Sequence, residues 1–160
     1  MNPMLQRTYP NQTCSIARTL EVVGERWSLL VLRDALFGRR RFDEFRSSLG
    51  IASNVLATRL EHLCREGLLA RRVYQIRPQR HEYLLTDKGR DLAPALLMMM
   101  KWGDRYYPNP GGPPRVAVHR GDCGGPVDDQ LTCQQCGQVV GFRGVEIEPG
   151  PGLAGSGSHP

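Results

Sequence analysis

Five cysteines are spread unevenly along the 160 residues, and three of them fall with a histidine in one short stretch: His119, Cys123, Cys133 and Cys136. The order His119-x3-Cys123, nine residues, then Cys133-x2-Cys136 gives soft and borderline ligands in close pairs, the spacing that can close a tetrahedron around zinc. Gly124 and Gly137 follow directly, which lets backbone amides turn back toward thiolate sulfur. A zinc cofactor on these four residues is the expectation. A Cys133–Cys136 redox pair and a degenerate, metal-free site are the alternatives this spacing leaves open. Cys14 and Cys64 stand apart, and an odd cysteine count in this arrangement is a poor match to a secreted disulfide framework.

Charge supplies the second chemical signal. The chain has a formal charge of +5, yet residues 39–80 alone contain ten Arg and no Lys against Asp43, Glu44, Glu61 and Glu66. The positive charge is therefore local, and the remainder is near neutral. Such a concentration points to a polyanionic partner, with an ordinary solvated face as the bland alternative. No nucleophile elbow, phosphate loop, HExxH pair or convincing carboxylate pair is present, so the sequence offers nothing for an enzyme to work with. The first thirty residues lack a secretion-type apolar run, and no stretch approaches the roughly 18–20 apolar residues of a membrane span. A cytoplasmic protein with no membrane association is expected.

These groups must be positioned by the elements around them. Ile16, Leu20, Val23, Trp27, Leu30, Val31 and Leu36 recur at helical steps, predicting helices over about 16–23 and 26–37 divided near Gly24. Residues 42–48 form a short amphipathic helix with Phe42 and Phe45 on one face, and Leu49, Gly50 and Ile51 make a turn. The next helix, 53–66, buries Leu56, Leu60 and Leu63, with Ser53 as N-cap and Gly67 as stop, leaving Asn54, Thr58, Arg59, His62 and Arg65 outward. The period then changes to a hairpin, with strands over 68–74 and 81–85. Thr86 caps a helix over 87–105 that Pro94 kinks, with Leu92, Leu96, Met99 and Tyr106 on one stripe and Ala95, Met98 and Trp102 on another.

Helix, short helix, glycine turn, polar-faced helix and basic hairpin, in that order, make a winged helix-turn-helix. A helix of this kind fits the major groove of B-DNA, while hairpin arginines meet phosphates or the adjacent minor groove. Asn54, Thr58 and Arg59 are expected at or near base edges, and Ser53 and Arg65 on the backbone. Arg41 joins them from ahead of the short helix, and Arg71, Arg72, Arg77 and Arg80 from the wing. A protein-interaction adaptor is the rival; acidic residues replacing the wing arginines would favour it, and they are absent.

The residues at 24–74 (GERWSLLVLRDALFGRRRFDEFRSSLGIASNVLATRLEHLCREGLLARRVY) and 77–92 (RPQRHEYLLTDKGRDL), with Cys14 before them and Trp102-Gly103 after, resemble the HxlR-type regulators. The resemblance covers about residues 14–103. It implies a winged-helix fold, an obligate homodimer through N- and C-terminal helices, and a transcriptional regulator, taken here as a repressor, on a pseudo-palindromic operator. Glu25-Arg26 departs from the Gly-Lys pair frequent in the family. In some members a cysteine placed like Cys14 senses oxidants or electrophiles; the alternative is a small residue filling the dimer interface. A small-molecule or oxidant effector follows from the first reading.

The fold class expected is mainly α with a small β-hairpin wing, plus a small Cys-rich β tail module. Domain boundaries are set at 1–107 for DNA binding and dimerisation, 108–114 for a Pro/Gly linker, 115–148 for a module that resembles a zinc ribbon, and 149–160 for a disordered tail. Apolar residues on two sides of the 87–105 helix, with Met98-Met99-Met100, support dimerisation. The stretch after Pro110 carries three Arg and five acidic residues, so it adds little attraction for DNA.

Overall fold

The computed structural model describes residues 8–155, which divide into two compact units in sequence between Ala93 and Pro94. The first unit runs α1 (Ser15–Val23), α2 (Ser28–Leu36), α3 (Phe42–Leu49), α4 (Ser53–Arg65), an antiparallel hairpin of β1 (Leu69–Gln75) and β2 (Arg80–Leu85), and the single turn α5 (Asp87–Arg90). This is the expected winged helix-turn-helix.

Local chemistry explains each boundary. Gly24 ends α1 with its N–H on the Leu20 carbonyl at 2.8 Å, and a Cβ there would lie 2.4 Å from that same oxygen, so only glycine fits. The left-handed residue before α2 is Trp27, with φ 79°. Gly50, with φ 61°, makes the corner between α3 and α4. Val31 and Leu32 of α2, Phe45 of α3, Leu56, Leu60 and Leu63 of α4, and Leu68 and Leu69 at the hairpin base are all buried. Each such side chain contributes about 1.5–3 kcal/mol of transfer free energy. Phe45 meets Tyr83 edge-on at 6.5 Å, and the Tyr83 N–H donates to the Arg40 carbonyl at 2.7 Å, so the wing is fastened to the start of α3. Thr86 caps α5 as expected, accepting from the Gly89 N–H at 3.1 Å.

The long helix expected over 87–105 is broken outright rather than kinked. α5 ends at Arg90, and a new helix, α6 (Ala93–Tyr106), carries Pro94 in its first turn, where a missing N–H costs nothing.

In the second unit α6 accompanies an antiparallel pair, β3 (Arg115–His119) and β4 (Val145–Pro149), with Ala117 opposite Ile147. Its core is Leu97, Ala117, Val127, Cys133, Val140 and Val145, with Met100 and Phe142 packed against it. Lys101 Nζ donates to the Val127 carbonyl at 2.5 Å. The division of the chain thus falls before the 108–114 segment, because the inward stripe of α6 belongs with the Cys-rich residues. That stripe holds Leu97 and Met100. Met99, Trp102 and Tyr106, read from sequence as stripe positions, are exposed.

Disorder from residue 149 onward is corrected for 149–155. Pro149 ends β4, Gly150 and Gly152 donate to the Pro114 and Pro113 carbonyls at 2.9 and 3.1 Å, and 151–155 form a short 3-10 turn. Residues 156–160 of that expectation lie outside the described residues. Among the described residues no helix is long and apolar enough to cross a membrane.

A candidate nucleic-acid interface and a candidate metal centre

α4 turns its leucine stripe into the core and leaves Ser53, Asn54, Ala57, Thr58, Glu61 and Arg65 exposed along the opposite side. Ser53 is not the N-cap: Ala52 holds that place without a side-chain bond, and Ser53 is the first helical residue. Thr58 is exposed, and its Oγ1 donates to the Asn54 carbonyl at 2.9 Å. Four of the residues assigned to DNA from this helix, Ser53, Asn54, Thr58 and Arg65, therefore share one accessible stripe.

Two residues expected to face outward do not. Arg59 is paired with Glu25 of the α1–α2 turn, and its side chain is only 12% exposed. His62 is buried, with Nε2 2.7 Å from the Val22 carbonyl, an arrangement in which the ring N–H donates to the carbonyl. The reason is angular. At about 100° per residue, position 59 lies about 140° around α4 from position 54, closer to the leucine stripe than to the exposed one.

The wing arginines Arg71, Arg72, Arg77 and Arg80 are all exposed. Arg72 is engaged on its own sheet, donating from Nε and Nη2 to Glu82 Oε1 at 2.7 and 2.5 Å. Gln75 Nε2 donates to the Arg77 carbonyl at 3.0 Å across the tip. Arg41, also exposed, lays its guanidinium over the Tyr74 ring at 4.7 Å. Beside it an open cleft of ≈ 490 Å³ is lined by Arg41, Phe42, Tyr74, Arg80, His81 and Tyr83, among others. Glu44 Oε2 accepts from the Arg40 and Arg41 backbone N–H groups at 2.8 and 2.9 Å, closing the first turn of α3. Those two amides hold the Glu44 carboxyl below the usual range. The set presents cations and hydrogen-bonding groups on a helix and a neighbouring hairpin, which suits a duplex backbone and its groove edges.

In the second unit His119, Cys123, Cys133 and Cys136 converge, with their ligand atoms within 4.8 Å of one another, close enough to hold a metal ion. Cys123 Sγ lies 3.6 Å from Cys133 Sγ, and Cys136 Sγ lies 3.4 Å from His119 Nδ1. β3 supplies His119 and the 133–137 turn supplies two thiols. The Gly137 N–H donates to the Cys133 carbonyl at 2.8 Å, and Gly137 itself has φ 72°. Backbone hydrogen bonds from Cys136 foremost, and from Gln135, lower the Cys133 thiol to about 6. At Cys123 a backbone bond from Gly125 lowers the thiol, but burial and the neighbouring thiols outweigh it and push it up.

Cys14 is exposed and is the N-cap of α1, its Sγ accepting from the Ala17 N–H at 3.4 Å. Cys64 is half-buried, and burial raises its thiol. Sequence reasoning missed the roles of Glu25 and His62; the signal available was the angular position of Arg59 and His62 on the α4 wheel, not residue type.

The family description "HxlR-like helix-turn-helix" matches residues 22–110. An HTH-type transcriptional regulator of Mycobacterium tuberculosis is 48% identical over 139 residues, 87% of each chain. The crystal structure of PA1607 superposes with a TM-score of 0.65 at 37% identity, covering 86% of this chain and 96% of that one. The redox regulator HypR in its oxidised form superposes with a TM-score of 0.53 at 35% identity, covering 57% of this chain and 96% of that one. The coverage of the first two exceeds what the helix-turn-helix unit alone can supply, so the likeness extends into the Cys-rich part.

Proposed function

The chain belongs to the HxlR-like helix-turn-helix family, a transcriptional regulator and not an enzyme, and from that premise we propose how it works. It acts in the cytoplasm as a homodimeric repressor on a pseudo-palindromic operator. α4 lies in the major groove, with Asn54 and Thr58 at base edges and Ser53 and Arg65 on the backbone. Arg41, Arg71, Arg77 and Arg80 neutralise phosphates on either side, and Arg72 contributes less because Glu82 already occupies it. The observation that carries this reading is the exposed polar stripe of α4 beside a basic, exposed wing. Binding of a selected duplex tests it. Asn54→Ala should lose discrimination against substituted bases, about 1–3 kcal/mol at the contacted position, whereas Arg77→Ala should weaken all duplexes alike. Equal and negligible effects would reject this docking.

The dimer is supported by apolar surface left uncovered in each unit. Ile16 of α1 is 72% exposed, and Trp102 of α6 is 57% exposed beside Met99 and Tyr106. Surfaces of this kind on a small regulator are covered by a partner, and a second copy supplies the second half-site reader.

Zinc is the metal we assign to the four-ligand centre. A tetrahedron with Zn–S near 2.3 Å and Zn–N near 2.05 Å has edges of about 3.8 Å between sulfurs and about 3.6 Å between sulfur and nitrogen. The Cys123–Cys133 sulfur separation of 3.6 Å and the Cys136–His119 separation of 3.4 Å fit those edges. Three thiols and one imidazole also match the donor preference of zinc over oxygen-seeking ions. The ion's role is to hold the module together.

An oxidant-responsive reading is favoured by one observation: Cys14 is exposed and caps a helix in a chain similar to the redox regulator HypR. Peroxide treatment followed by mass spectrometry and DNA titration, with Cys14→Ser as control, tests it. Unmodified Cys14 and unchanged DNA affinity would exclude it.

A further inference from the structure

We propose that Glu25 sets how strongly the protein binds DNA of any sequence: it withholds Arg59 of α4 from the DNA backbone, so that sequence-independent affinity stays weak. The inference rests on the reading of α4 as the groove helix. It begins at Glu25, in the turn between α1 and α2. Here the carboxylate reaches the Arg59 guanidinium, and the pair is largely covered, at 12% and 29% side-chain exposure. One turn further along α4, His62 is bonded to the Val22 carbonyl, so the same flank of the helix is tied twice to the end of α1 and the turn after it.

The consequence follows from charge placement. α4 contains two arginines, Arg59 and Arg65, and the second sits at its C-terminal end. With Arg59 masked, the forward part of the exposed stripe (Ser53, Asn54, Ala57, Thr58) is polar but uncharged. Every phosphate that a cation neutralises adds affinity for all sequences equally. A masked arginine therefore lowers affinity for every duplex by the same factor and leaves base readout to Asn54 and Thr58 untouched. Removing the carboxylate takes away the charge paired with a mostly covered guanidinium and so lowers the cost of turning it out to solvent. The arginine stem is long and flexible, so the head can swing out to solvent and to the phosphates flanking the groove.

The test titrates a randomised 30-base-pair duplex pool between 50 and 200 mM salt by fluorescence anisotropy, with circular dichroism confirming the fold of each variant. Glu25→Gln should steepen the logarithmic salt slope by about 0.9 per protomer, about 1.8 for the dimer, so its advantage over the native chain is about 12-fold larger at 50 mM salt than at 200 mM. Arg59→Met, which keeps the packed stem and removes the charge, should bind the pool as the native chain does. Added to Glu25→Gln, it should abolish the gain. A folded Glu25→Gln with the native slope would overturn the proposal. So would an Arg59→Met variant with a flattened slope, since Arg59 would then already be on the DNA; this arm decides the matter even if Glu25→Gln fails to fold. Failure of the native chain to bind any duplex would instead remove the DNA reading itself, an outcome distinct from both.

Discussion

Replacing Cys133 by serine should empty the metal centre and dismantle the second unit. Cys133 is fully buried, belongs to that unit's core and lies 3.6 Å from Cys123 Sγ, so the change removes a ligand and puts a hydroxyl among apolar side chains. The buried aliphatics Leu97, Val127, Val140 and Val145 contribute about 6–12 kcal/mol gross, at about 1.5–3 kcal/mol each. Structural zinc supplies an apparent 10–16 kcal/mol or so in small domains, a contribution of the same size. Neither is spare once the entropy of ordering the chain is set against them. Elemental analysis of reduced native protein should find about one zinc per chain, and Cys133→Ser close to none. Cobalt in place of zinc should give the visible absorption of a tetrahedral thiolate site. Limited proteolysis should spare residues 115–149 in the native protein and cut them after chelation or in the variant. The 4.8 Å limit on ligand separations exceeds an ideal tetrahedral edge, so the bound ion should draw the ligands inward. Native protein that holds no zinc, cobalt or other metal, with a proteolytic pattern indifferent to added zinc, would refute the reasoning.

Three further outcomes follow from the first unit. Replacing Arg77 and Arg80 together by alanine should flatten the logarithmic salt slope by about 1.8 per protomer, and Arg72→Ala by clearly less, as anisotropy at several salt concentrations would show. Glu44→Ala should fray the start of α3 and lower stability by about 0.5–1 kcal/mol in denaturant titration, because two backbone N–H groups lose their acceptor, with Glu44→Gln restoring most of it. Since Glu44's folded value is lowered, that contribution is complete above the ordinary glutamate value of about 4.3 and is lost as pH falls through the lower folded value. Substituting Ile16 by Asp should shift sedimentation toward a single protomer while helix content is retained; an unchanged dimer would exclude α1 from the interface.

The sequence carried the first unit well, because its signals are local and periodic. The leucines of α4, the glycine corner at Gly50 and the Thr86 cap each act within a few residues of themselves, and α1–α4 and the hairpin stand within a few residues of where periodicity puts them. The convergence of His119, Cys123, Cys133 and Cys136 was equally legible, since pair spacing survives whatever the intervening loop does. What escaped depended on distant partners. Arginine type suggested an outward Arg59, yet its angle on α4 and a carboxylate 34 positions earlier in sequence turned it inward. The stripe of α6 was assigned to Met99, Trp102 and Tyr106, but the residues that met it lie beyond a Pro/Gly segment whose composition suggested a separation. The backbone bonds from Gly150 and Gly152 to Pro114 and Pro113 likewise join two stretches that each look structureless alone.

Selection of bound duplexes from a random pool by the purified native chain tests the central claim most directly. Two inverted half-sites about 10–10.5 base pairs apart, centre to centre, or a multiple of that spacing, should be enriched. Enrichment should vanish for the Asn54→Ala, Thr58→Ala double variant, which should still bind unselected DNA at low salt. No association of the native chain with any duplex at low ionic strength would contradict it.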